Sequence, residues 1–92
     1  MPKIRFFGSL RKVLGTNEID IDIPDECIAV TEFVKMMASR FKEIERIFPD
    51  ASIPPYILVF IDGVEVRVFD SLDEAKVCRE STVDVVPVIH GG

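Results

Sequence analysis

Tyr56-Ile57-Leu58-Val59-Phe60-Ile61, Asp62-Gly63 and Val64-Glu65-Val66-Arg67-Val68 follow one another, and the fold is decided by how they are read. Two apolar runs joined by Asp-Gly predict a β-hairpin, because a type I′ turn needs positive φ at both central residues. Upstream, Pro49-Asp50 to Pro54-Pro55 reads as a connector, since proline lacks an amide donor and is excluded from helix interiors. Before that connector, Val30, Phe33, Val34, Met37, Phe41, Ile44 and Phe48 fall near the 3.6-residue helical repeat. They predict one amphipathic helix from about Thr31 to Ile44 or a little beyond. Thr31 would be its cap and Glu32 would suit the positive end of the dipole, with Lys35, Arg40, Lys42 and Glu43 on the wet side.

The chain opens with a second predicted hairpin. Lys3-Ile4-Arg5-Phe6-Phe7 places Ile4 and Phe6 on one face and Arg5 and Phe7 on the other, and Gly8 ends the run. Ser9 is positioned to cap a short helical turn through Leu10, Val13 and Leu14, which Gly15 can stop in the left-handed region. Glu18-Ile19-Asp20-Ile21-Asp22-Ile23 alternates strictly, so a half-buried strand is expected there with three isoleucines inward. After Asp70-Ser71-Leu72-Asp73-Glu74 comes a short helical or irregular segment, and the last strand is predicted from Thr82 to about Ile89. Two hairpins flanking one helix can bury its apolar stripe on one face of a mixed sheet, with the last strand between the first and third. The expected fold class is therefore α+β, a β-grasp: a mixed five-stranded sheet packed on one main helix, with an extended C-terminal Gly-Gly tail.

Composition narrows the function classes. Ninety-two residues make one domain, 1–92, of which 89–92 are expected to form a flexible reactive tail. With 48% hydrophobic and 29% charged residues the chain is globular in composition. Eleven basic against sixteen acidic residues give a net charge of −5, which repels a phosphate backbone, so no nucleic-acid partner is expected. No apolar run reaches the roughly 18 residues that cross a membrane, so no membrane partner is expected and the default location is cytoplasmic. Cys27 and Cys78 form no CxxC pair and the only histidine is His90, too poor a set for a metal site. Both cysteines read as ordinary reduced residues of a cytosolic domain, and no basic cluster beside either favours persulfide chemistry.

Both ends of the chain carry a family likeness. Ile4-Arg5-Phe6-Phe7-Gly8-Ser9-Leu10-Arg11-Lys12-Val13-Leu14-Gly15-Thr16 and Val83-Asp84-Val85-Val86-Pro87-Val88-Ile89-His90-Gly91-Gly92 occur in order at this length. Together they resemble the opening strand and turn, and the final strand, proline and di-glycine, of the MoaD/ThiS family of ubiquitin-like sulfur carriers. The MoaD-type small subunit of molybdopterin synthase is the best match. The chain departs from the family in having Pro87-Val88 where Pro-Pro is frequent, Glu80-Ser81 where a Gly-Asp turn is frequent, and the bulkier His90 before the glycines.

The resemblance implies that the working group is the C-terminal carboxylate of Gly92, reached through Gly91, and not a side chain. It would be adenylated, converted to a thiocarboxylate, and would donate sulfur for the molybdopterin dithiolene. Glycine suits such an end because the absence of Cβ lets it thread a narrow channel and leaves the carbonyl open to attack. The chain alone is not expected to turn over substrate or to bind a cofactor. ATP and Mg would be used by an E1-like adenylating enzyme of the MoeB type. A sulfur donor protein and the molybdopterin synthase large subunit, of the MoaE type, are the other implied partners. Alternatives are a sulfur carrier for tRNA thiolation or thiamine synthesis, a ubiquitin-like protein modifier, and a binding module without terminal chemistry.

The residues also point to a docking face. One side of the sheet is covered by the helix, yet Tyr56 to Ile61 is apolar on both sides and Phe7 is out of phase with Ile4 and Phe6. Phe7, Val86 and Val88 are thus candidates for an apolar patch that a partner covers, unless sheet twist and the loop after Phe69 bury them. Arg11 is a candidate for a salt bridge at the rim of that patch, or simply a solvated arginine. His90 is a candidate partner contact or proton relay, or a solvated spectator.

Overall fold

The computed structural model describes residues 1–88, and in it the Asp62-Gly63 turn takes positive φ at both residues, 49° and 86°. That turn joins β4 (Ile57–Ile61) to β5 (Val64–Glu65). The other elements are β1 (Lys3–Phe6), α1 (Leu10–Leu14), β2 (Glu18–Asp20), β3 (Cys27–Ala29), α2 (Val30–Arg40), α3 (Lys42–Ile47), β6 (Lys76–Cys78) and β7 (Thr82–Pro87). Five strands form one sheet in the order β2–β1–β7–β4–β5. β7 runs parallel to β1 and antiparallel to β4, as the β-grasp reading requires.

Alternation along the central strands builds the core. Ile4, Phe6, Val83, Val85, Ile57 and Val59 turn inward and are fully buried together with Val30, Phe33, Val34 and Met37 of α2. Each such side chain removed from water contributes roughly 1.5–3 kcal/mol, so the sheet-on-helix contact dominates stability. Gly15 stops α1 at φ 74°, its N–H donating to the Arg11 carbonyl at 2.8 Å. Ser9 stands at the start of α1 and makes no side-chain cap.

Several sequence expectations are corrected. The second strand pairs only to Asp20, because its partner β1 begins at Lys3, opposite Asp20. Beyond it the ladder ends with the Ile21 N–H donating to the Pro2 carbonyl at 3.2 Å, while the inward alternation persists: Ile21 and Ile23 are buried and Asp22 is exposed. The long helix is broken at Phe41, whose backbone is extended (φ −130°, ψ 116°). Beyond this residue of extended chain Ile44 and Phe48 are buried as the helical repeat expects, Ile47 is buried with them, and Phe41 lies at the surface. Thr31 does not cap α2; Ala29 holds that position, and Thr31 donates instead to Asp73 Oδ1 at 3.0 Å.

The hairpin's second strand is shorter than its sequence suggests. After Glu65 the chain turns into a 3₁₀ segment at Val66–Val68, where the Glu65 carboxylate accepts the Arg67 N–H at 2.8 Å and Val66 is fully buried. The last strand spans Thr82–Pro87, the Val88 N–H still donates to the Tyr56 carbonyl at 2.8 Å, and Ile89, the expected end of the strand, lies outside the described residues. The stretch before β7 contains β6, which pairs with β3 in a separate two-stranded ribbon that local sequence did not announce. Cys27 and Cys78 lie directly opposite one another in that ribbon and are disulfide-bonded, so the expectation of two reduced cysteines fails. No local signal joined them, because they are 51 residues apart.

Candidate functional site

The helices cover one face of the sheet, and register places the remaining side chains on the other. Leu58 stands opposite Val86, and Phe60 opposite Asp84, across the β4–β7 pair. On the far side of β7, Arg5 is level with Asp84. The Phe7 N–H donates to the Val85 carbonyl at 3.1 Å, which carries the β1–β7 ladder one step further and sets Phe7 beside Val86. A row of Phe7, Val86 and Leu58 therefore crosses the open face, and all three are half-buried. Continuing toward the end of β7, the Val88 N–H donates to the Tyr56 carbonyl at 2.8 Å. These two residues are 37% and 55% exposed, so the apolar row widens into open surface where the described chain ends.

The next row away from that end sets Phe60 beside a polar pair. The Arg5 guanidinium grips Asp84 through two bonds, Nε to Oδ1 at 2.6 Å and a terminal nitrogen to Oδ2 at 2.8 Å. Its charge also lies 5.8 Å from the centre of the Phe7 ring, within cation–π range. The hydrogen bond to Asp84, followed by Coulomb attraction to the same carboxylate, raises the pKa of Arg5 above its ordinary value. An exposed pair of this kind adds little stability. Its geometric effect is to bound the apolar row with a fixed, internally neutralised edge.

Phe7, Val86 and Val88 thus come together on one surface, and the loop after Phe69 does not bury them. Arg11 is exposed, with Nε donating to the Phe6 carbonyl at 3.2 Å, an anchor to β1. Gly91, Gly92 and His90 lie outside the described residues, as does Ile89. Tyr56, Leu58 and Phe60 complete the patch but were not singled out individually from sequence. Their signal was the two-sided apolar character of Tyr56 to Ile61.

Arg67 supports this end of the sheet. Its guanidinium donates to the carbonyls of Ile57 at 2.9 Å, Pro54 at 2.8 Å and Ile53 at 3.3 Å, tying the proline-rich connector to the start of β4. Among the described residues no pocket is present, and what they offer a partner is a surface. No helix among them is long and apolar enough to cross a membrane.

This architecture has known counterparts. No family model matches the chain. SAMP1 from Haloferax volcanii superposes with a TM-score of 0.77 at 22% identity, covering 99% of this chain and 98% of that one. A chain of the BexX/CysO complex from Amycolatopsis orientalis gives a TM-score of 0.78 at 21% identity, with 100% of both chains covered. At those identities the likeness establishes the ubiquitin-like β-grasp fold. An Archaeoglobus fulgidus protein provisionally named a sulfur carrier protein is 30% identical over 85 residues, spanning 90% of this chain and 96% of the relative. With that relative, the two-ended sequence likeness and the β-grasp sheet in hand, the chain belongs to the MoaD/ThiS-type family of ubiquitin-like sulfur carriers.

Proposed function

We propose that this chain is the sulfur-donating small subunit of a molybdopterin synthase, with the carboxylate of Gly92 as its working group. A carboxylate is a poor electrophile, because its charge repels nucleophiles and oxide does not leave. Attack of the Gly92 carboxylate on the α-phosphorus of ATP, with pyrophosphate leaving, makes a mixed anhydride. Hydrosulfide then adds to the Gly92 carbonyl, AMP departs and the S–H proton is lost, leaving a thiocarboxylate. ATP and Mg act in the active site of an E1-like adenylating partner. Gly91 and Gly92, lacking Cβ atoms, suit passage through a narrow catalytic channel and cost ordering entropy on docking.

The observation that carries this reading is the position of the apolar row. Phe7, Val86 and Leu58 widen to Val88 and Tyr56 at the point where the chain passes on to residues 89–92. A partner that covers this surface holds the domain by its sheet while receiving the glycines. Arg11 and His90 are the polar contacts proposed for the same interface. The adenylating enzyme and the synthase large subunit would use it in turn, first to load sulfur and then to deliver it to the dithiolene.

Intact mass after incubation with an E1-like adenylating enzyme, ATP and a sulfur source tests the terminal chemistry. Oxygen-for-sulfur exchange confined to Gly92, and lost when Gly92 is deleted, is the expected result; an unchanged mass overturns it. Lysine-linked adducts on other proteins would point to a modifier. Transfer of the sulfur to a molybdopterin precursor by a reconstituted large subunit distinguishes the molybdopterin role from tRNA thiolation or thiamine synthesis.

A further inference from the structure

The disulfide lies away from the proposed docking face. Cys27 is exposed at the outer end of the β3–β6 ribbon, and its Cα is 3.9 Å from that of the half-buried Cys78. The pairs Ile28–Val77 and Ala29–Lys76 lead inward from it, and Val77 is fully buried. One step further, the Val30 N–H that begins α2 donates to the Ala75 carbonyl at 2.8 Å. The ribbon therefore fixes where the main helix joins the core. Outside the link it is held by the Arg79 N–H to the Glu26 carbonyl at 3.0 Å and by an exposed Arg79–Glu26 ion pair at 3.8 Å, a weak clasp.

We propose that the Cys27–Cys78 bond is a reversible staple, opened by thiol–disulfide exchange with a dithiol reductant, that sets how stable the carrier's fold is without altering its docking face. A reductant thiolate attacks Sγ of the exposed Cys27, the S–S bond breaks, and Cys78 leaves as thiolate. The second reductant thiol then attacks the reductant's own sulfur in the mixed disulfide and expels the Cys27 thiolate. Two electrons pass from dithiol to protein, and the two cysteine thiolates take up the protons the dithiol gives up.

Topology separates the two sites. Cys78 precedes β7, whereas Val86 lies four residues into that strand, about 13 Å beyond Thr82 at strand rise. The inner ribbon is held by the burial of Val77 and Val30 independently of the link. Opening the bond thus frees residues at the ribbon's outer end and leaves the patch in place. The unfolded chain, by contrast, loses a crosslink spanning 51 residues, a loop that takes in α2, α3, β4 and β5. By chain entropy, the folding equilibrium constant is expected to fall about 30- to 1,000-fold on reduction. The melting temperature should drop by about 10 to 20 °C.

Melting of the full chain with and without dithiothreitol, beside the double variant Cys27→Ser/Cys78→Ser, tests this. Reduced wild type and double variant should share the lower melting temperature, and reoxidation should restore the higher one. Amide chemical shifts should move at Glu26 to Ala29 and Lys76 to Arg79 and stay unchanged at Phe7, Leu58 and Val86. A melting temperature indifferent to reductant overturns the proposal, as does an equal reductant effect on the double variant or equal chemical-shift changes on the open face. If the double variant fails to fold, reduced wild type makes the same comparison. The proposal is independent of the terminal chemistry, which a mass change at Gly92 reads separately.

Discussion

Replacing Tyr56 by alanine separates docking from folding. Tyrosine presents roughly 200 Å², and Tyr56 is 55% exposed in the free domain, which leaves about 110 Å² for a partner to cover. At about 25 cal/mol per Å² the upper bound on its contribution is about 2.7 kcal/mol. Association returns only part of such area, so about 1–2 kcal/mol is expected, a dissociation constant about 5- to 30-fold weaker. The portion already covered also costs stability on removal, up to about 2 kcal/mol, which a domain of ordinary stability survives at 25 °C. The Tyr56 carbonyl continues to accept the Val88 N–H, because that bond is made by backbone. Val64→Ala is the matched control: Val64 is 46% exposed, but it sits beside the Asp62-Gly63 turn at the opposite end of β4. Titration calorimetry against an E1-like adenylating enzyme measures both variants. A Tyr56→Ala affinity within twofold of wild type, or an equal loss for Val64→Ala, would refute the assignment of this surface.

Other perturbations probe the fold and the edge of the patch. Phe33 is fully buried under the sheet, so Phe33→Ala should destabilise by about 3–5 kcal/mol in denaturant unfolding; a loss under 1 kcal/mol would contradict the core assignment. At Gly63 a Cβ meets nothing within 4 Å, yet φ is +86°. Gly63→Ala should therefore cost only backbone strain, about 1–2 kcal/mol in the same assay, and a neutral variant would argue against the left-handed turn. Arg5 has its pKa raised by Asp84, so its share of stability is complete below the unfolded-state value and lost only as pH climbs through the folded one, in strongly alkaline solution. Arg5→Gln should accordingly leave the pH dependence of stability unchanged from neutral to mildly alkaline pH, read by thermal melts across pH.

Much of the architecture is written in short-range signals. The Asp62-Gly63 turn, the left-handed Gly15, and the in–out alternation of Ile4, Phe6, Val83 and Val85 all appear where local chemistry places them. Each depends only on steric freedom or strand periodicity over a few residues. Apolar character on both sides of Tyr56 to Ile61 was likewise enough to mark an open face beyond the core, though not to say which residues lie adjacent on it.

Adjacency depends on register, and register is set by contacts between strands far apart in the chain. Leu58 meets Val86, and Arg5 meets Asp84, only once β7 has inserted between β1 and β4. Nothing near Cys27 specifies Cys78 until the β3–β6 ribbon brings them opposite one another. The break at Phe41 is of the same kind: no proline or glycine lies there to force it, and the helical repeat alone would have put Phe41 inside. With the break, Ile47, which lies off the stripe of an unbroken helix, is buried beside Ile44 and Phe48 while Phe41 comes to the surface. Local sequence could thus name the elements and their inward faces, whereas the neighbours that turn those faces into a patch, a staple and a kink exist only in the assembled fold.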